Sequence, residues 1–163
     1  MILSLATREE LPEIVSIYNS TVASRQVTAD LQPVTVAQRE AWFQAHQRKN
    51  RPLYVLKDVS GCVIAWSSFS DYYPRAAYDR TAEISIYVHE QQRGKGLGRL
   101  VLTQMLERAP QLGIHKITAV IFAHNQPSLS LFEQFGFEQW GFLPQVCEWD
   151  NVLADIIILG KTV

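Results

Sequence analysis

The stretch that decides the fold is Ala82–Met105, AEISIYVHEQQRGKGLGRLVLTQM. Ile84, Ile86 and Val88 alternate with Ser85 and Tyr87, which is the period of a β-strand. Arg93-Gly94-Lys95-Gly96-Leu97-Gly98 then sets three glycines where the chain must turn tightly and bring bare backbone close to something else. From Leu97 onward, Leu100, Val101, Met105 and Leu106 recur at helical spacing. A strand, a glycine turn and a helix start make an anion site. Free N–H groups and the positive end of the helix dipole meet there, and Arg93, Lys95 and Arg99 add charge.

Working outward, Ile2–Ala6 reads as a short strand. The capping pattern Thr7-x-x-Glu10 opens a helix with Leu11, Ile14, Val15, Tyr18 and Val22 on one stripe. Ala23–Pro33 has no period and reads as a loop, and Thr35-x-x-Gln38 opens a second helix carrying Trp42 and Phe43. Leu53–Lys57 and Cys62–Phe69 read as strands joined by a tight turn, followed by the aromatic and basic loop Asp71–Arg80. Beyond the central stretch come a strand at Ile117–Phe122, a turn at His124–Pro127 and a short helix from Ser128. Two strands, Phe137–Leu143 and Leu153–Leu159, close the chain, with Pro144 and Asp150-Asn151 between them. The order is strand, two helices, three strands, helix, strand, helix, two strands. That is a mixed α/β layer structure, with no repeat or linker to divide residues 1–163 into more than one domain.

Composition narrows the function. Fifteen basic residues against 16 acidic ones give a net charge of −1, so no global cation field exists for nucleic acid and any phosphate site is local. A hydrophobic content of 47% with 19% charged residues is that of a water-soluble globular chain; the apolar runs are too short to span a bilayer, and the opening residues lack a signal-peptide layout. The two cysteines, Cys62 and Cys147, lie in apolar stretches and read as buried, reduced thiols, and the four histidines show no metal-ligand spacing with them. A cytoplasmic protein without a metal is expected.

Two common phosphate motifs fit poorly. A nucleotide-triphosphate loop needs a hydroxyl after its Gly-Lys, whereas Gly96 is followed by Leu97. A dinucleotide fingerprint needs G-x-G-x-x-G, and Gly94-x-Gly96-x-Gly98 is one residue short. The pattern Arg93-x-x-Gly96-x-Gly98 after a strand resembles the acetyl-CoA pyrophosphate loop of the GNAT N-acetyltransferase superfamily. Asn125-x-x-Ser128-x-x-Leu131-Phe132-Glu133-x-x-Gly136-Phe137 is similar to that superfamily's following strand–loop–helix segment. Tyr18-Asn19, Pro33-Val34, Arg39, Trp42-Phe43, Thr81-x-Glu83 and Ser85-x-Tyr87-Val88 also match the phosphinothricin/methionine sulfoximine acetyltransferase branch, so the resemblance covers essentially the whole chain.

The resemblance implies a twisted, mostly antiparallel sheet with a V-shaped splay between its fourth and fifth strands, flanked by about four helices. It implies acetyl-CoA as cosubstrate, held by Ile86, Tyr87 and Val88 along the pantetheine arm, by Arg93, Gly94, Lys95, Gly96, Leu97, Gly98 and Arg99 at the pyrophosphate, and by Asn125 and Ser128 from the other side. Glu83 is implied as the base, through a water. Tyr73, Pro74, Arg75, Glu83, Ile84 and Ser85 are implied to line the acceptor site, where an arginine suits a carboxylate. A small amine partner, no nucleic acid or membrane, and a homodimer follow from the same likeness. Phe132 stands where many members carry a tyrosine, so no residue is assigned to protonate the leaving thiolate. Other acceptors (a polyamine, an amino-sugar drug, a protein N-terminus) and a CoA-binding sensor without turnover remain alternatives.

Overall fold

A computed structural model describes residues 1–163. Seven strands form one sheet: β1 (Ser4–Leu5), β2 (Leu53–Lys57), β3 (Val63–Asp71), β4 (Thr81–Val88), β5 (Lys116–Phe122), β6 (Glu138–Trp149) and β7 (Val152–Thr162). Four helices cover it: α1 (Leu11–Val22), α2 (Val36–Ala45), α3 (Leu97–Arg108) and α4 (Gln126–Gln134). The spatial order is β1-β2-β3-β4-β5-β7-β6. Every pairing is antiparallel except β4 with β5, which run parallel and match only at Thr81–Glu83 against Lys116–Thr118. Past Glu83 the two strands part, so the expected splay between the fourth and fifth strands forms.

Two cores sit on the two faces of the sheet. On one, Ala82 and Ile84 of β4 meet Val101, Leu102 and Met105 of α3 together with Leu129 and Phe132 of α4. On the other, the α1 stripe Leu11, Ile14, Val15, Tyr18 and Val22 meets Leu53, Val55, Val63 and Trp66. Leu11, Ile14 and Ile17 are at most 1% exposed, and each such side chain contributes roughly 1.5–3 kcal/mol of burial. Because β4 alternates, Glu83, Ser85 and Tyr87 face the α1–α2 side, and Tyr87 stacks on Trp66 with ring centroids 4.4 Å apart.

Both capping patterns are used, differently. At Thr35 the reciprocal pair closes, with Gln38 N–H donating to Thr35 Oγ1 at 3.2 Å and Thr35 N–H donating to Gln38 Oε1 at 2.8 Å. At Thr7 the N–H donates to Glu10 Oε2 at 2.7 Å, and the other carboxylate oxygen pairs with Lys57. The first turn, Arg8–Glu10, is a 3-10 turn, and α1 proper begins at Leu11. The expected break at Pro144 is instead a bulge inside one long strand. β6 is the sheet's edge, where proline need not donate, and Gln145 at φ 54° gives its N–H to Asp155 Oδ1 at 2.8 Å. The cysteine expectation is corrected: Cys62 is exposed in the β2–β3 turn and Cys147 half-buried in β6, both free. Its apolar neighbours Val63 and Ile64 point inward, whereas Cys62 lies in the turn before β3 begins.

Candidate active site

The unpaired lengths of β4 and β5 enclose two adjoining cavities. The larger, about 560 Å³, runs from Ile86, Tyr87 and Val88 to Arg93, Gly94, Gly96, Leu97, Gly98 and Arg99. The smaller, about 210 Å³, is lined by Glu83, Ile84 and Ser85 of β4, by Ala119, Val120 and Ile121 of β5, and by Val27, Thr28 and Ala29. Ile86, Tyr87, Asn125, Ser128, Phe132 and Val27 border both, so a molecule in one can meet a molecule in the other.

The floor of the larger cavity follows from its glycines. Gly94 and Gly96 sit at φ 75° and 77°, which side chains rarely adopt, and a Cβ at either would meet no protein atom within 4 Å. Gly96 precedes α3, whose first-turn N–H groups have no intrahelical partner. Open space beside unpaired donors at the positive end of a helix dipole suits a pyrophosphate. Acetyl-CoA fits the residues present: the glycine loop would hold its pyrophosphate, and the unladdered edge of β4 would pair with its pantetheine amides. Asn125 caps α4 by accepting from Ser128 N–H at 3.3 Å, which leaves its Nδ2 without a protein partner at the border of the two cavities.

Glu83 is half-buried in the smaller cavity with no hydrogen bond or ion pair from the protein, and burial pushes its carboxyl above the ordinary carboxylate range. Burial, with Tyr18 nearby, pushes the Tyr87 phenol well above its ordinary value too, so Tyr87 stays protonated. Phe132 is buried and packs edge-on to Phe137 with centroids 4.9 Å apart, so no hydroxyl stands there.

Some expected residues lie elsewhere. Lys95 donates to Gln92 Oε1 at 2.8 Å and lines neither cavity. Tyr73, Pro74 and Arg75 lie on the exposed β3–β4 loop outside both, with the Arg75 guanidinium 5.6 Å from the Tyr73 ring centroid. His89 accepts from Gln91 N–H in a turn, at 3.2 Å.

The α1–α2 loop was unreadable as a site, yet it roofs the cleft. Tyr18 Oη meets Thr28 Oγ1 at 2.5 Å and also donates to Asp30, while Arg39 binds Asp30 at 3.2 Å and lies 4.3 Å from the Tyr18 ring centroid. Across the opening, His124 Nε2 is 2.8 Å from the Arg25 carbonyl. The only sequence signal for this roof was in its anchors, Tyr18, Asn19 and Arg39, because the loop itself has no period.

A parallel strand pair that opens beside a glycine-started helix, with two adjoining cavities in the gap, has the architecture of a CoA-using acyl-transfer fold. The chain belongs to the acetyltransferase (GNAT) family, whose model matches residues 14–137. It is 51% identical over 161 residues to YwnH of Bacillus subtilis, spanning 99% of this chain and 98% of that one. It is 39% identical over 137 residues to the L-methionine sulfoximine/L-methionine sulfone acetyltransferase of Pseudomonas aeruginosa, covering 84% and 80% of the two chains. The structure superposes with a TM-score of 0.93 on a Sinorhizobium meliloti phosphinothricin acetyltransferase in complex with acetyl-CoA, at 27% identity and 99% and 87% coverage. The protein is an acyltransferase that uses acetyl-CoA. No cluster of three or more His, Cys, Asp or Glu side chains gathers to hold a metal, and no helix is long and apolar enough to cross a membrane.

Proposed function

We propose that the protein acetylates the primary amine of a small amino-acid-like acceptor of the phosphinothricin or methionine sulfoximine/sulfone type, by direct transfer with both substrates bound. The observation that carries this reading is the unpartnered, half-buried Glu83 in a cavity of about 210 Å³ that opens onto the acetyl-CoA cavity. The volume suits a small amine better than a protein chain, and two relatives act on amino acids of this kind.

The acceptor arrives as an ammonium ion. Glu83, its basicity raised by burial, takes one proton directly or through a water. The neutral nitrogen attacks the thioester carbonyl carbon, and backbone N–H groups on the open edge of β4 bind the oxygen as charge develops on it. The C–N bond forms, the C–S bond breaks, and the thiolate leaves. Tyr87 holds its proton too tightly to give it up to a thiolate whose conjugate thiol ordinarily titrates at about 8.5. It therefore steadies the thiolate by hydrogen bonding, and solvent or the nitrogen's second proton neutralises it. Neither cysteine lines the cavities, which supports direct transfer over an acyl-cysteine. Gly94, Gly96, Leu97, Gly98 and Arg99 hold the pyrophosphate, with Arg93 and Lys95 adding charge. Asn125 and Ser128 bound the CoA arm. Arg75, flanked by Tyr73 and Pro74 on the exposed β3–β4 loop, is the cation we assign to the acceptor carboxylate, while Ile84 and Ser85 form the wall beside Glu83.

Such chemistry, placed in the cytoplasm where acetyl-CoA is available, inactivates amino-acid toxins and so confers resistance. The edge strand β6 and its partner β7 expose Trp140, Phe142, Leu143, Val146, Val152 and Leu153, a surface a second copy of the chain would cover.

The test is thiol release from acetyl-CoA with methionine sulfoximine, methionine sulfone and phosphinothricin against spermidine, an aminoglycoside and a peptide N-terminus. Release with the amino acids alone is expected. Release only with one of the others moves the acceptor class, and acetyl-CoA binding without release from any amine makes the protein a sensor, a reading the missing hydroxyl at Phe132 favours.

A further inference from the structure

A buried histidine outside the cavities connects to the strand that pairs with Glu83. His46 follows the last turn of α2, is 6% exposed, and has no part in the chemistry above. Its Nδ1 is 2.8 Å from the Trp42 carbonyl oxygen and its Nε2 is 3.1 Å from Ser70 Oγ. Ser70 pairs directly with Glu83 across the β3–β4 ladder. Opposite residues of an antiparallel pair leave the same face with Cβ atoms roughly 4.5–5.5 Å apart, so Ser70 and Glu83 are cross-strand neighbours on one face, with no hydrogen bond between them while Glu83 is unpartnered.

The hydrogens in this chain have one consistent arrangement. A carbonyl oxygen only accepts, so Nδ1 carries the ring proton and donates it to Trp42. Burial lowers the imidazole's pKa and keeps the ring neutral, which leaves Nε2 a lone pair. Ser70 O–H must then donate to Nε2. With its single proton directed at His46, Ser70 Oγ has only acceptor capacity left for Glu83.

We propose that His46 and Ser70 are positioning residues for Glu83: His46 draws the Ser70 proton away, so that Ser70 Oγ is left to accept from the carboxyl once Glu83 takes a proton, which favours the protonated form. This rests on the reading of Glu83 as the base. The charges around the chain do not reverse the argument. Arg48 works to lower the His46 value and Asp71 to raise it, and these two are paired with each other at 2.7 Å. The buried Arg51 binds the other oxygen of Asp71 at 2.8 Å, and the Trp42 ring lies 4.7 Å from the imidazole. Tyr87, two residues along the same face of β4, is the titratable group nearest Glu83 on that strand, and it stays neutral. No cation bonds Glu83.

His46→Asn tests the proposal, because the shorter amide can still donate to Trp42 but offers nothing to Ser70. The freed hydroxyl turns to Glu83 and donates to the carboxylate, which favours the ionised form. The acidic limb of kcat/KM for the amine then moves to lower pH by about half to one unit, with KM for acetyl-CoA unchanged. In a Ser70→Ala background the same substitution shifts nothing further, because His46 acts only through the hydroxyl. Ser70→Thr keeps the wild-type limb, whereas Ser70→Ala lowers it. An unmoved limb in folded His46→Asn, or the full shift persisting without the Ser70 hydroxyl, overturns the proposal. If His46→Asn does not fold, an unmoved limb in Ser70→Ala overturns it instead. Glu83→Gln run in parallel keeps the two ideas apart. A limb that survives Glu83→Gln removes Glu83 as the base, and a limb lost there but unmoved in His46→Asn removes only the positioning role.

Discussion

Replacing Gly96 by alanine separates what the loop does for the fold from what it does for the ligand. Gly96 sits at φ 77° and ψ 6°, immediately before α3. An alanine held there is strained by roughly 1–2 kcal/mol. For a domain of this size, with about 2–4 °C lost per kcal/mol, the melting temperature falls by about 2–8 °C. No protein atom lies within 4 Å of the added Cβ, so in the protein alone strain is the whole effect. Bound acetyl-CoA changes this, because its pyrophosphate would take the same space against the first-turn N–H groups of α3. Each hydrogen bond to a charged group is worth about 1.5–3 kcal/mol, so losing one weakens binding by about 10- to 140-fold. Gly113 supplies the control. It has φ 75° and ψ 16°, equally open surroundings, and a place after the turn Pro110–Leu112, away from both cavities. Thermal melts of the two variants should fall together, while calorimetric titration with acetyl-CoA should weaken only in Gly96→Ala. Equal affinities within twofold would refute the assignment of the loop to the pyrophosphate.

Two further substitutions probe charge and packing. Glu83→Gln should lower kcat by about 10²–10⁴-fold with acetyl-CoA affinity kept. It should also raise the melting temperature at pH 7: the folded carboxyl's pKa is raised, so its contribution to stability is present below the ordinary carboxylate range and lost as pH rises through the raised value. The gain should vanish below about pH 4, and melting scans at pH 7 and pH 4 that show no such difference would contradict the burial argument. Gly160→Ala should destabilise the β6–β7 pair, because its Cβ would lie 2.0 Å from Trp140 Cδ2 and Cε3. The overpacking costs about 1–3 kcal/mol, which denaturant melts would read, and unaltered stability would mean the half-exposed indole swings clear at no cost.

Most of the architecture was legible because its signals are local. The strand–glycine–helix stretch, the α1 stripe and the complete capping box at Thr35 each involve residues within a turn or two of one another, whereas the helix expected from Ser128 starts at Gln126 with Asn125 as its cap. The misreadings are also instructive. Pro144 reads as a stop, but on an edge strand the missing N–H harms nothing. Cys62 reads as buried because its neighbours Val63 and Ile64 are, although it lies in the turn before their strand begins. The acceptor side was much less legible: Val27, Thr28 and Ala29 carry no pattern and become walls only because Tyr18, Asp30 and Arg39 fold their loop over β4.

By itself, then, the sequence determined the order of elements, the glycine-started helix α3 and the family, since these depend on short-range periodicity, caps and glycine geometry. Tertiary structure alone decided where the cleft opens and what surrounds Glu83. The β4–β5 ladder stops after three residue pairs, a loop from far upstream in the chain roofs the gap, and Ser70, bonded to His46, lies opposite Glu83 on the neighbouring strand. Each of these depends on the register and crossing of segments far apart along the chain, which no local pattern records.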